Sequence, residues 1–219
     1  MKHLQKPAHR VPVLMAALAI GACQSAYYRS LEAVGFHKRD VLVDRVEAAR
    51  DAQQDAKHQF ETALAQFSAV IDFDGGELER HYEKLDAEYE QSEKRAAAVS
   101  ERIESVEDVA EALFEEWEDE LGDYSSDNLR RNSERQLEET RERYVRLIEA
   151  MRRAESKTGP VLAAFHDQVL ALKHNLNAQA IASLQNELMA VENDIAALIR
   201  EMEASIREAD EFLNDMTAG

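Results

Sequence analysis

A single cysteine, Cys23, is all the chain contains, which excludes an internal disulfide and a cysteine-built metal cluster. Three prolines and seven glycines in 219 residues leave few places for the backbone to turn. That scarcity excludes sandwiches and barrels, which need a turn signal every few residues. Positive charge is also short: 26 Lys and Arg stand against 44 Asp and Glu. An acidic surface repels nucleic acid and anionic headgroups, so no nucleic-acid partner is expected. The Gly-x-x-x-x-Gly-Lys-Ser/Thr phosphate loop and the Gly-x-Ser-x-Gly elbow are missing, and with them the commonest nucleotide and acyl-transfer chemistries. The apolar run Val11–Ile20 is too short to span a bilayer.

That run is the right length for a secretory signal, and Lys2, Lys6 and Arg10 precede it. It ends Ile20-Gly21-Ala22-Cys23, which resembles the cleavage site of a bacterial lipoprotein. The resemblance implies removal of residues 1–22, acylation of Cys23 (palmitate among the chains), and anchoring to a membrane. Several acyl chains together make such anchoring stable, at about 0.8 kcal/mol per buried CH2. Asp after the lipidated Cys is the usual inner-membrane mark in this class, whereas here the residue is Gln24. The expected location is therefore the periplasmic face of the outer membrane. Removing residues 1–22 takes away three basic and no acidic residues, leaving 23 against 44 and a net charge of −21.

What the chain has in quantity is Ala, Glu, Leu and Arg, with apolar residues spaced for helices. Breakers divide residues 23–219 into four helical stretches. The first is predicted from about Ala26 to Ile71, before Asp72-Phe73-Asp74-Gly75-Gly76, and the second from Glu77 to about Leu121. After Gly122-Asp123-Tyr124-Ser125, Ser126 or Asp127 is a fitting cap for a third helix that reaches about Ser156. Gly159-Pro160 is predicted to close the third helix and open the fourth, which runs to about Asp215, because proline suits a first helical position. Heptad seams recur throughout: Leu42, Val46, Ala49, Gln53, Ala56, Phe60, Ala63, Phe67 and Val70 in the first helix, and twelve positions from Leu78 to Trp117 in the second. In the last helix the seam runs from Leu184 to Met216, preceded by a stutter at Ala180 and Leu184. The expected fold is all-α: one elongated antiparallel bundle or coiled coil of about four long helices, forming a single domain over 23–219.

Few side-chain groups suggest chemistry. A di-iron bundle needs two inward Glu-x-x-His pairs, and the chain has none; Asp55-x-x-His58 is the nearest approach. Carboxylates of the Glu115–Glu120 run radiate around a helix and are read as a solvated face. No metal, cofactor or catalytic group is therefore expected. Two segments stand out. Lys173, His174, Asn175 and Asn177 crowd two turns with polar groups, either as a ligand or partner site at the stutter or with Asn177 or Asn175 as a buried polar residue that fixes helix register. Tyr27, Tyr28, Phe36, Lys38 and Arg39 follow the anchor directly and combine aromatic with basic character, which suits either a headgroup zone or the start of the first helix.

Tyr27-Tyr28, the stretch Lys38–Val46, Phe73-Asp74-Gly75-Gly76, Leu113–Trp117 and above all Leu172–Ala180 together resemble domain-of-unknown-function family 2959, found in Gram-negative bacteria. The resemblance covers essentially all of residues 23–219, and it transfers no catalytic residues because the family has no assigned activity. The functional expectation is a non-enzymatic, lipid-anchored helical envelope protein that binds, spaces or scaffolds, with the membrane and an envelope protein as partners. The alternative is a self-assembling, membrane-associated coiled coil of phage-shock-like type, a homo-oligomer.

Overall fold

A computed structural model describes residues 37–71, 78–174 and 178–218. Four helices make up nearly all of it: α1 Lys38–Ile71, α2 Leu78–Glu120, α3 Asp127–His174 and α4 Ala178–Ala218. A single 3-10 turn, Leu121–Asp123, follows α2. The described residues include no strand. His37 is not helical, so α1 starts at Lys38. At the α3 start, Ser126 is the cap: its Oγ accepts from the Leu129 N–H at 3.5 Å, and its carbonyl accepts from Arg130 N–H at 3.0 Å.

Ion pairs between helices show their arrangement. Arg50 reaches Asp210 (3.2 Å) and Lys57 reaches Glu203 (2.7 Å), so residue numbers rise along α1 as they fall along α4. Arg95 meets Asp55 at 2.9 Å, and the Gln59 amide donates to Glu88 Oε2 at 2.6 Å, which gives α1 and α2 the same opposed sense. Arg141 with Glu118 and Arg152 with Glu107 do this for α2 and α3; Arg143 with Asp215 (3.3 Å) and Arg153 with Glu201 (3.9 Å) do it for α3 and α4. The result is an up-down-up-down four-helix bundle with a clamp on each of its four seams. Arg39–Gly219 forms one compact unit.

The heptad stripes face inward. Every predicted α1 seam residue is buried, and so are Leu184, Val191, Ile195, Leu198, Met202, Ser205, Ala209, Phe212 and Met216 of α4. Phe60, Phe67 and Phe165 are the largest fully buried side chains, and Phe67 meets Phe165 edge-on at 6.0 Å. In α2 the core takes Val109 and Phe114 as well as the seam, so the apolar stripe there is wider than a strict coiled-coil seam.

The predicted break at Gly159-Pro160 is corrected: α3 runs without interruption from Asp127 to His174 with Pro160 inside it. Proline removes the N–H that would bond the Ser156 carbonyl, yet Gly159 and Pro160 both lie on the exposed side. The stripe Ala154, Thr158, Val161, Phe165, Val169 and Leu172 stays buried in phase on either side of it. Packing of that stripe outweighs the local backbone penalty. The junction between α3 and α4 falls instead between His174 and Ala178. Its sequence signals are Lys173 and His174 in the last turn of α3, where cations complement the helix dipole, and two asparagines, which favour caps and turns over helix interiors.

Candidate functional site

A cleft lies where the C-terminal turns of α2 and α4 meet the third to fifth turns of α3 and the start of α1. It holds about 360 Å³ and is lined by Arg39, Leu113, Glu116, Trp117, Glu120, Gln136, Glu139, Thr140, Arg143, Asp215 and Met216. Each helix supplies part of it because the α2 and α4 seams end there in Trp117 and Met216. Trp117 is too large to fold wholly under the bundle end and stays half-buried, with its Nε1–H donating to Ser133 Oγ at 2.7 Å. That bond fixes the indole plane.

Leu113, Met216 and the indole make an apolar floor, and charged groups form the rim. Arg143 Nε sits 3.3 Å from Asp215, and Arg39 donates to the Met216 carbonyl, which ties α1 to the last turns of α4. Thr140 Oγ1 donates to the Gln136 carbonyl at 2.7 Å, so that hydroxyl is engaged in the backbone. Four acidic side chains (Glu116, Glu120, Glu139, Asp215) face two basic ones (Arg39, Arg143) around this floor. Such a cleft suits an apolar side chain flanked by positive charge. Among the described residues no group of three or more His, Cys, Asp or Glu is placed to hold a metal ion.

A more open groove runs along the outer side of α2 and α3, lined by Glu118, Leu121, Leu137, Arg141 and Val145 among others. Arg141 joins it to the core, for its guanidinium lies 5.1 Å from the Phe114 ring centre and pairs with Glu118, holding that carboxyl below its ordinary range through the hydrogen bond. Phe114 in turn packs on Tyr144 at 5.4 Å, and burial pushes the Tyr144 phenol up to about 12. Tyr89, against Phe165 and His166, is likewise pushed up to about 12 by burial and by its bond to Glu93.

Of the residues singled out in the sequence, Arg39 lines the cleft. Lys38 opens α1, while Lys173 and His174 close α3 as exposed side chains. The antiparallel arrangement separates Arg39 from Lys173 and His174 by most of the length of α3, so they form no common site. Cys23, Tyr27, Tyr28, Phe36, Asn175 and Asn177 lie outside the described residues. The Trp117–Ser133 bond and the Arg143–Asp215 pair were not read from the sequence. Arg143 follows Glu139 by four and reads as an ordinary intrahelical pair, yet it crosses to α4.

No helix among the described residues is long and apolar enough to cross a membrane. Comparison with curated proteins and with solved structures finds no match. The family model described as "Protein of unknown function (DUF2959)" matches residues 27–216, and the chain belongs to that family.

Proposed function

We propose that this chain is a lipid-anchored, non-enzymatic helical module of the cell envelope, tethered through Cys23 at the periplasmic face of the outer membrane, that works by binding or spacing. The observation that carries this reading is the clamped bundle: ion pairs on all four seams hold helices of 34 to 48 residues in one register. At 1.5 Å per residue the shortest of these helices is about 50 Å long, which suits a spacer. The cleft at Trp117 adds a place to dock a partner, and its acidic rim selects a segment with one apolar side chain between basic ones.

Replacing Cys23→Ala tests the tether. The variant is expected in the soluble fraction after alkaline carbonate washing, and an Ala variant that still pellets with outer membranes would refute it. Photocrosslinking from Gln136, an exposed residue of the cleft, tests the docking face, with capture of one envelope protein expected there and lost on Glu139→Lys. A second reading is self-association of the bundle into a membrane-associated coiled coil. Sedimentation that stays monomeric across concentration would remove that second reading.

A further inference from the structure

Among the described residues six polar side chains are buried in the bundle: Gln53, Ser92, Ser133, Thr140, Thr158 and Ser205. Four of them have partners close by. Ser92 and Thr158 donate to the Glu88 and Ala154 carbonyls at 2.8 and 3.4 Å, Thr140 donates to Gln136, and Ser133 accepts from Trp117. Gln53 and Ser205 differ. Both are 0% exposed, and Gln53 Nε2, Gln53 Oε1 and Ser205 Oγ have no hydrogen-bond partner among the described residues.

These two residues share one level of the bundle. Gln53 lies between Arg50 and Lys57 on α1, and Ser205 lies between Glu203 and Asp210 on α4, so the same two ion pairs bracket both. Seven residues of helix span about 10 Å. Within that short segment both side chains point into the core, on neighbouring helices that run in opposite senses. One turn away stand Ala49 and Ala56 on α1, and Ala209 and Met202 on α4, all buried. A polar level flanked by alanine on both sides in α1 and on one side in α4 is the kind of place where a core holds water.

From this we infer an internal water-binding site between α1 and α4, in which Gln53 and Ser205 share an ordered water that bridges the two helices. An unpaired buried amide or hydroxyl costs about 1–3 kcal/mol, so a fold that keeps three such atoms at one level needs a partner for them. The chemistry fits water closely. Gln53 offers a donor and an acceptor, Ser205 offers either, and an internal water makes about three bonds.

The bridge also fixes register where the chain does not. α1 and α4 are joined by no direct connection, and a heptad stripe tolerates a slip of seven residues. Such a slip would set Gln53 against Leu198 or Phe212, both buried and apolar, with its amide left unsatisfied. The polar level therefore rejects the slipped pairing.

The test is oxygen-17 relaxation dispersion on the full chain, unlipidated, with Gln53→Met, Ser205→Ala and the pair combined, alongside thermal unfolding of all four proteins. A long-lived internal water is expected in the parent and lost in the double variant, and the melting shifts of the single variants should not add. A parent without a long-lived water overturns the inference whatever the variants do. Persistence of that water in the double variant, or additive melting shifts, overturns it as well. Should the double variant fail to fold, Gln53→Met alone is read by the same dispersion, where an unchanged long-lived component again overturns the inference.

Discussion

Pro160 stands inside a 48-residue helix, and Pro160→Ala should make the protein more stable. Proline in a helix interior is less favourable than alanine by about 3 kcal/mol, because it removes one hydrogen bond and crowds the carbonyl four residues back. Here that carbonyl belongs to Ser156, an exposed residue, so water meets the orphaned oxygen and the missing bond is worth only about 0.5–1.5 kcal/mol. Restoring the bond and relieving the crowding should together gain about 2 kcal/mol. Gly159→Ala should add about 1 kcal/mol, from the lower entropy cost of fixing alanine in a helix. Nothing lies within 4 Å of the Cβ that this change would add. For a chain of this size each kcal/mol moves the midpoint by about 2–4 °C, so Pro160→Ala should raise Tm by about 4–8 °C in far-UV circular dichroism. The opposite outcome is informative. Were Pro160 the first residue of a new helix, its ring would be pre-organised there and alanine would bring no gain. A Tm that is unchanged or lower would therefore refute a continuous α3.

Trp117 is the sole tryptophan, so its emission reports on the cleft alone. Ser133→Ala removes the acceptor of the indole N–H and should cost about 1 kcal/mol in urea unfolding, with a shift of the Trp117 emission maximum; an unaltered spectrum and midpoint would show the bond to be unimportant. Alkaline titration followed by tyrosinate absorbance should show Tyr89 and Tyr144 ionising late, near pH 12, each lost from the late phase on replacement by Phe. Both folded-state values lie above the ordinary phenol value of about 10, so the unfolded chain releases these protons first. Stability from these two groups is thus complete below about pH 10 and is lost as pH rises through about 12. A flat stability profile across that window would count against their burial.

Legibility in the sequence divided by the kind of signal. Seam positions were readable because burial on a long helix repeats every three or four residues, and Gln53 was already visible in the α1 seam as a polar residue at a core position. Its pairing level with Ser205 was not readable, since a heptad stripe says which residues are buried and not which helix they face. Boundaries marked by paired glycines or by a Ser cap were found, whereas Gly159-Pro160 misled. Local chemistry there argues for a break, and the in-phase stripe from Ala154 to Leu172 prevails. The true junction carried weaker marks, Lys173, His174 and two asparagines, which can equally be read as a polar site.

The cleft was hidden for a related reason. On a helix surface a charge has two sets of neighbours at comparable range, those three or four residues away and those on the next helix. Sequence displays only the first set. Glu149–Arg153 closes within α3 at 3.9 Å, but Arg153 also reaches Glu201, and Arg143 reaches Asp215 across the seam. Pairs that look like scattered surface decoration thus cross the seams, each of them modest alone, and they match an order that the short connections and the buried stripes already favour. Order in turn decides which seam ends meet. Trp117, Met216 and Arg39 form one cleft only because α1 and α3 both run antiparallel to α2 and α4, so the proposed docking site follows from a helix order that no motif displays.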